Sequence, residues 1–216
     1  MHRHIYLIAL FATTCSYAAV RAEFTFDDIQ YWIGTGANEA AFVVDWNDWL
    51  EPQSLAWGYR WDGTATGEDM LMEIVTTDPD LFAKISEPGG FGVALYGLGY
   101  DLEHDGFALS DGTVFTNGLA ITDPADGANA LDPADHYREG WFSEGYWSYW
   151  LSADGADWNY SGTGMSGRTL TNGAWDGWSW APRFDATAPS EPVAAVPEPA
   201  ALSILVLGII VVARRS

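Results

Sequence analysis

Acidic side chains occupy every second position in one short stretch of the chain, Asp101–Gly106. Asp101, Glu103 and Asp105, followed by a glycine, fit the first half of a calcium-binding loop, in which a tight turn directs alternate carboxylate oxygens at one ion. The second half of that pattern is missing, and Asp111 is the nearest carboxylate that could complete it. The stretch predicts a Ca²⁺ site made of Asp101, Glu103, Asp105 and Asp111, with a plain Asp-Gly hairpin turn as the alternative.

Aromatic side chains offer a second kind of chemistry, because all twelve tryptophans lie between Trp32 and Trp180. In strand geometry, Trp147 and Tyr149 face one way while Tyr146 and Trp150 face the other. One sheet layer with one helix covers only one of these faces, so we expect the face of Trp147 and Tyr149 to be open to a flat ligand. The predicted ligand-binding residues are Trp147, Tyr149, Trp175, Trp178 and Arg60. If these rings are instead all in the core, a structural role is favoured.

Hydrolytic catalysis finds little support in the sequence. His104 and His136 are the only histidines after the first few residues, and neither belongs to a triad or an HExxH pattern. Paired carboxylates for glycoside cleavage remain compatible with so acidic a chain. We expect a protein that binds rather than catalyses, with no catalytic residue to name.

The charge balance excludes one class of partner. The formal net charge is −21, and only five basic residues lie between positions 23 and 185: Arg60, Lys84, Arg138, Arg168 and Arg183. A protein that binds the phosphate backbone of nucleic acid needs clustered Lys and Arg side chains, so nucleic acid is not expected as a partner. For the same reason, this part of the chain is not expected to bind an anionic membrane surface.

Hydrophobic patterning predicts a domain made mostly of β-strands. The stretch Leu55–Asp62 alternates cleanly, with its large side chains on one face and Ala56, Gly58 and Arg60 on the other. We expect the large face to be core and the small face to allow a close approach to the backbone. Further strands are expected at residues 24–33, 41–46, 89–101 and 140–151. A second aromatic cluster lies at 175–182, and a long surface loop is expected at 116–135.

One helix is indicated by local signals. Thr66 and Asp69 form a capping box, and apolar residues follow at helical spacing from Met70 to Val75. Asp78-Pro79 should end this helix and begin another helical turn over residues 81–85.

The two ends of the chain have the character of targeting segments. Residues 1–22 predict a secretory signal, cleaved before Glu23, which removes the single cysteine, Cys15. A domain at 23–185 and a linker at 186–195 follow. The last segment, 196–216, begins with Val196-Pro197-Glu198-Pro199, continues as an apolar run and ends with Arg214 and Arg215. An apolar run followed by arginines is typical of a membrane anchor whose basic end lies in the cytoplasm.

This C-terminal segment resembles the PEP-CTERM sorting signal of Gram-negative bacteria. The resemblance implies processing near Pro197-Glu198-Pro199 by an exosortase-type enzyme. It further implies an exported precursor anchored in the inner membrane, and then a protein at the cell surface or in the extracellular matrix. A plain single-span anchor is the alternative.

The domain itself is similar to secreted domains associated with corrinoid uptake, and loosely to the C-terminal β-grasp domain of transcobalamin-type proteins. The similarity is carried by Trp57–Gly63, the helix that follows it, Gly145–Trp150 and Leu170–Trp178. It implies an α+β fold, mostly β, with an antiparallel sheet and one main helix in a β-grasp-like arrangement. The segments at the two ends are expected to add an N-terminal signal and a C-terminal transmembrane helix. It also implies a small flat ligand such as a corrinoid. A structural or glycan-binding component of a polysaccharide matrix is the alternative function.

Overall fold

The computed structural model describes residues 23–90 and 92–197. Within these ranges the chain forms eleven strands and one α-helix, which confirms the expected α+β, mostly β class. In chain order they are β1 (Trp32–Gly34), β2 (Asn38–Asp45), β3 (Ser54–Trp61), α1 (Gly67–Thr77), β4 (Leu81–Ile85), β5 (Leu95–Tyr100), β6 (Leu119–Ile121), β7 (His136–Glu139), β8 (Gly145–Ser152), β9 (Asn159–Tyr160), β10 (Ala174–Pro182) and β11 (Val193–Ala194). The predicted signal at 1–22, the apolar run that ends at Arg214 and Arg215, and Glu198 and Pro199 lie outside the described residues.

The strands form two sheets rather than the single antiparallel sheet expected. The large sheet has the order β1-β3-β2-β10-β8-β9, with β11 also paired to β3, and the small sheet has the order β6-β4-β5-β7. The large sheet is mixed, because β10 lies parallel to β2 while β2–β3 and β10–β8 are antiparallel. Parallel neighbours need a long connection. Here the whole small sheet and β8 lie in the chain between β2 and β10.

The single helix forms where the local signals place it. The Thr66 hydroxyl accepts the N–H of Asp69 at 3.1 Å, and the Asp69 carboxylate accepts the N–H of Thr66 at 2.8 Å, which completes the predicted capping box. Met70, Leu71 and the other apolar residues of this face are buried. The second helical turn expected over 81–85 is wrong: this segment is β4, because pairing with β5 and β6 outweighs its weak helical pattern.

The main core lies between one face of the large sheet and a layer made of α1 and the small sheet. Buried polar contacts join the two layers. The indole N–H of Trp46 in the large-sheet layer donates to the carbonyl of Leu98 in β5 at 3.1 Å. Trp57 of β3 donates to the Asp78 carboxylate just after α1 at 2.6 Å. The large face of β3 is core, as predicted, since Leu55, Trp57, Tyr59 and Trp61 are all buried.

The opposite face of the large sheet is covered as well. Its centre carries the small residues Ala41, Ala56 and Gly58, and the segment before β1 packs on them. The indole of Trp32 lies directly over Gly58, where a Cβ atom would occupy the same space as the ring. The expected strand over 24–33 is therefore mostly wrong: a 3₁₀ turn at Phe26–Asp28 precedes the short β1, and together they form this cover.

The segment predicted as a linker, residues 186–195, packs along the large sheet. Strand β11 pairs with Leu55 and Ala56 of β3, and Ala195 is buried. The N–H of Ser190 donates to the carboxylate of Asp45 at 2.7 Å. Val196 and Pro197 follow at once and are exposed. Among residues 23–90 and 92–197, no helix combines the length and apolar character that a membrane crossing requires.

Replacing Gly58 by alanine should destabilise the fold, because the new methyl group must displace the Trp32 indole from the sheet. We expect the free energy of unfolding to fall by about 1–3 kcal/mol, measured by urea unfolding of the full-length chain. Gly162→Ala is the matched control, since nothing lies within 4 Å of the Cβ position there. Equal stability of the two variants would show that Trp32 does not cover Gly58.

Candidate functional site

The aromatic site predicted from the sequence is buried. Trp147 is 4% exposed and Tyr149 6%, and Trp175 and Trp178 are equally enclosed. Tyr149 stacks on Trp178 with 4.5 Å between ring centroids, and its hydroxyl donates to the buried carboxylate of Asp176. The prediction that the Trp147 and Tyr149 face is open is wrong, because α1 and the small sheet cover it.

Arg60, the fifth predicted ligand-binding residue, is engaged within the chain. Its guanidinium lies 3.0 Å from the Glu39 carboxylate and 4.5 Å from the centre of the Trp32 ring. The half-open aromatic face is the one that carries Tyr146 and Trp150. There Tyr146 stacks on Phe184, and Trp150 packs edge-on against Tyr160.

A cleft of about 480 Å³ opens at the end of the large sheet where β7, β8 and β10 meet the turn after β2. Trp49 stands at its edge and is 87% exposed, more than any other large apolar side chain among the described residues. The remaining lining is mainly polar and comes from five segments: Asn47, Gly127, Ala128, Asn129, Tyr137, Arg138, Glu139, Glu144, Trp180, Pro182 and Arg183.

A buried histidine fixes the turn that carries Trp49. His136 stacks on Trp46 at 4.4 Å between ring centroids, and its Nδ1 lies 3.0 Å from the Asp48 carboxylate. Its Nε2 lies 3.0 Å from the carbonyl of Pro52. With both ring nitrogens engaged, the imidazole pins the residues on either side of Trp49. Trp49 itself has φ of 72°, in the left-handed region, which projects its indole away from the core.

A buried ion pair forms the floor of the cleft. Lys84 of β4 is 3% exposed, and its ammonium group lies 2.6 Å from the Glu139 carboxylate of β7 and 2.6 Å from that of Asp111. The hydroxyl of Tyr137 also donates to Glu139 at 2.6 Å, and burial together with this hydrogen bond raises the pKa of Tyr137. The other oxygen of Glu139 accepts the N–H of Ala128 at 2.9 Å, which ties the long loop to the floor.

An aspartate clamps the loop between β7 and β8. The two oxygens of Asp126 accept the backbone N–H groups of Trp141, Phe142 and Ser143 at 2.6–3.0 Å. Burial alone would raise the pKa of Asp126, but these N–H donors outweigh it and lower the pKa to about 2. The carboxylate is therefore charged at neutral pH and holds the loop just before Glu144.

The cleft contains the two basic side chains that the fold leaves unmatched. Arg60 pairs with Glu39, Lys84 with Glu139, and Arg168 with Asp176. In the part of the chain that the structure describes, Arg138 and Arg183 have no carboxylate within ion-pair distance, and both line the cleft. The buried Nε of Arg138 also lacks a hydrogen-bond partner among these residues. In a chain of net charge −21, this places positive charge beside an exposed indole.

The structure does not bring the four predicted calcium ligands together at one site. Asp101 is buried and turns both oxygens to its own loop, accepting the N–H of Gly106 at 2.8 Å and of Asp105 at 3.3 Å. Asp111 pairs with Lys84 at the cleft floor, which corrects its assignment to the acidic loop. Glu103 and Asp105 instead meet Asp132, with one oxygen from each residue lying within 4.8 Å of the others.

Sequence reasoning missed the residues that form the cleft. Trp49 could have been singled out, because it lies in the polar turn Asn47-Asp48-Trp49 and not in an alternating strand. No local signal marks Arg138, Arg183 or Asp126, since the sheet pairing brings them together. Comparisons of the chain with family models, with curated proteins and with solved structures found no match.

Replacing Lys84 by methionine should strongly destabilise the protein, because it leaves the Glu139 carboxylate buried without a cation. We expect a loss of about 3–5 kcal/mol in the free energy of unfolding, measured by denaturant unfolding. Adding Glu139→Gln to Lys84→Met should recover more than half of that loss. Asp111→Asn removes only the half-exposed partner and should cost about 1 kcal/mol or less. A Lys84→Met variant no less stable than Asp111→Asn would contradict this description of the floor.

Proposed function

We propose that the chain is an exported, non-catalytic protein, processed at its C-terminal signal, whose folded domain binds an acidic glycan in the cleft beside Trp49. The observation that carries the proposal is the pairing of an exposed indole with Arg138 and Arg183 in one cleft. It favours the glycan-binding alternative over the flat apolar ligand, which depended on aromatic rings that are buried.

The indole of Trp49 supplies an apolar face at the edge of a polar cleft. Sugar rings present an apolar face of C–H groups and a rim of hydroxyls, so they match a cleft with one aromatic wall and many hydrogen-bonding groups. Ligand sites of this type use a few convergent polar groups to fix orientation. Here the side-chain amides of Asn47 and Asn129 line the cleft and offer such groups.

The two arginines narrow the ligand class to sugars that carry carboxylates. Guanidinium groups bind carboxylates through paired N–H donors, and such charge-assisted hydrogen bonds are about twice as strong as neutral ones. Neutral sugars would leave Arg138 and Arg183 unmatched. The strongly acidic remainder of the surface repels polyanions, so binding should be confined to this cleft.

Trp49→Ala should abolish glycan binding without loss of stability, because the side chain is 87% exposed. The measurement is isothermal titration of the full-length chain, in mild detergent, with oligogalacturonate and with cello-oligosaccharides of equal length. We expect oligogalacturonate alone to bind, with Arg183→Gln weakening it at least about tenfold. Phe142→Ala, which removes an exposed ring outside the cleft lining, is the control and should bind normally.

Equal binding by Trp49→Ala and the wild type would rule out the cleft as the site. Corrinoid binding, implied by the resemblance to uptake domains, stays a prediction. A third titration uses cobalamin in place of the glycan. Saturable binding of cobalamin that is retained in the Trp49→Ala variant would favour a corrinoid ligand and a different binding site.

Processing at Pro197-Glu198-Pro199 forms the second part of the proposal. The support is that the packed chain extends through Ala195 while Val196 and Pro197 are exposed, so an enzyme could reach the motif without unfolding the domain. In the native host we expect mass spectrometry to find the C-terminus near the motif. Glu198→Ala should block this and Glu191→Ala should not. An intact Ser216 in the mature wild-type protein would contradict the proposal.

A further inference from the structure

The turn that carries Trp49 depends on one side chain from another part of the fold. It spans residues 46–53, between β2 and β3. Within the part of the chain that the structure describes, one hydrogen bond reaches residues 49–52 from outside the turn, and it joins the carbonyl of Pro52 to Nε2 of His136 at 3.0 Å. His136 lies in β7 and is fully buried. The position of the Trp49 indole therefore depends on the state of this imidazole.

Both ring nitrogens of His136 face hydrogen-bond acceptors. Nδ1 lies 3.1 Å from Oδ1 and 3.0 Å from Oδ2 of Asp48, and Nε2 faces the Pro52 carbonyl, which can only accept. A neutral imidazole carries one N–H and one lone pair, so it can donate to only one of these two partners. An imidazolium carries an N–H on each nitrogen and donates to both.

Three observations place the second proton on the ring and not on Asp48. Imidazole is a much stronger base than a carboxylate. One oxygen of Asp48 also accepts the N–H of Leu50 at 3.2 Å, which suits an ionised carboxylate. The ring stacks on the Trp46 indole with 4.4 Å between centroids and 10° between planes, and an indole face attracts a cation. Burial disfavours an isolated charge, but His136 and Asp48 together form a neutral pair.

We propose that His136 is an imidazolium at neutral pH and that its second proton holds the Trp49 turn in the position that binds the glycan. When the ring loses a proton, the charge-assisted N–H bond to the Asp48 carboxylate is the one retained. A lone pair of Nε2 then faces the Pro52 oxygen, so the contact is lost and residues 49–52 are released. Binding is therefore strongest where the ring is protonated, and it weakens as the pH rises. The effect on binding rests on the proposed function, whereas the protonation state does not.

The other titratable groups around His136 do not account for a change in this pH range. Tyr100 of β5 is the register partner of His136, and burial raises the pKa of this phenol above its ordinary alkaline value. Asp135 precedes His136 in the chain, and burial raises the pKa of Asp135 to about 6. Arg138 stays charged, and Asp45, at the end of β2, accepts backbone N–H groups with both oxygens. A change between about pH 7 and pH 9 therefore reports on His136.

NMR of the full-length chain, in mild detergent and labelled with ¹⁵N at histidine and tryptophan, tests the protonation state. Signals of His136 and Trp49 are assigned by their loss in His136→Gln and Trp49→Ala, with His104→Gln as the control. At about pH 7, both ring nitrogens of His136 should carry a proton. As the pH rises to about 9, one proton should be lost, and the indole signal of Trp49 should change with the same midpoint. A lone pair on either ring nitrogen at neutral pH would overturn the proposal.

Asp48→Asn separates the role of the proton from a merely structural role of the pair. An amide can donate to Nδ1 of a neutral ring and still accept the N–H of Leu50, so Nε2–H can bind Pro52 at any pH. The Trp49 signal and the affinity for oligogalacturonate, measured by calorimetry, should then be the same at both ends of the pH range.

The wild type and the control Asp123→Asn, which changes an exposed acid outside the cleft, should lose affinity about tenfold between about pH 7 and pH 9. Equal losses in all three proteins would overturn the proposal, as would a wild-type affinity that does not change with pH. If no glycan binds at any pH, the proposed function fails, while the NMR signals of His136 and Trp49 still decide whether the proton holds the turn.

Discussion

Strand β2 lies in the middle of the large sheet without a polar face, and every side chain from Ala40 to Val44 is fully buried. A strand of this kind requires a packed layer on each side of the sheet. Helix α1 and the small sheet supply one layer, and the segment around Trp32, together with Trp158, supplies the other. The interior strands thus use most of their aromatic rings as core, and among the described residues Trp49, on a turn, carries the most exposed large ring.

The need to bury both faces of the large sheet also constrains the charged side chains. Burying carboxylates in so acidic a chain requires a partner for each, and the Glu139–Lys84 and Asp176–Arg168 pairs meet that need inside the fold. Arg138 and Arg183, which have no ion-pair partner among the described residues, line the cleft together with Glu139 and Glu144.

Sequence patterns predict this structure well where an element is determined by residues close to one another in the chain. The Thr66–Asp69 capping box and the alternation of β3 depend on near neighbours, and both are confirmed. The openness of the Trp147 face depends on how many layers the topology builds, and no short stretch carries that information. The same holds for Asp111 and Asp132: spacing along the chain favours Asp111, while strand pairing brings Asp132 to the acidic loop. The signal at 1–22 and the residues from 198 onwards lie outside the described residues, and both targeting signals stay predictions.

Solvent accessibility of individual tryptophans tests the central claim, that the strand aromatics are core and that Trp49 marks the open site. Hydroxyl-radical footprinting of the native full-length chain, read by peptide mass spectrometry, measures this directly. The structure predicts rapid oxidation of Trp49 and slow oxidation of Trp147, Trp175 and Trp178. Addition of a bound glycan should protect Trp49 alone. Rapid oxidation of Trp147 or Trp178 in the folded protein, at a rate near that of Trp49, would contradict the account.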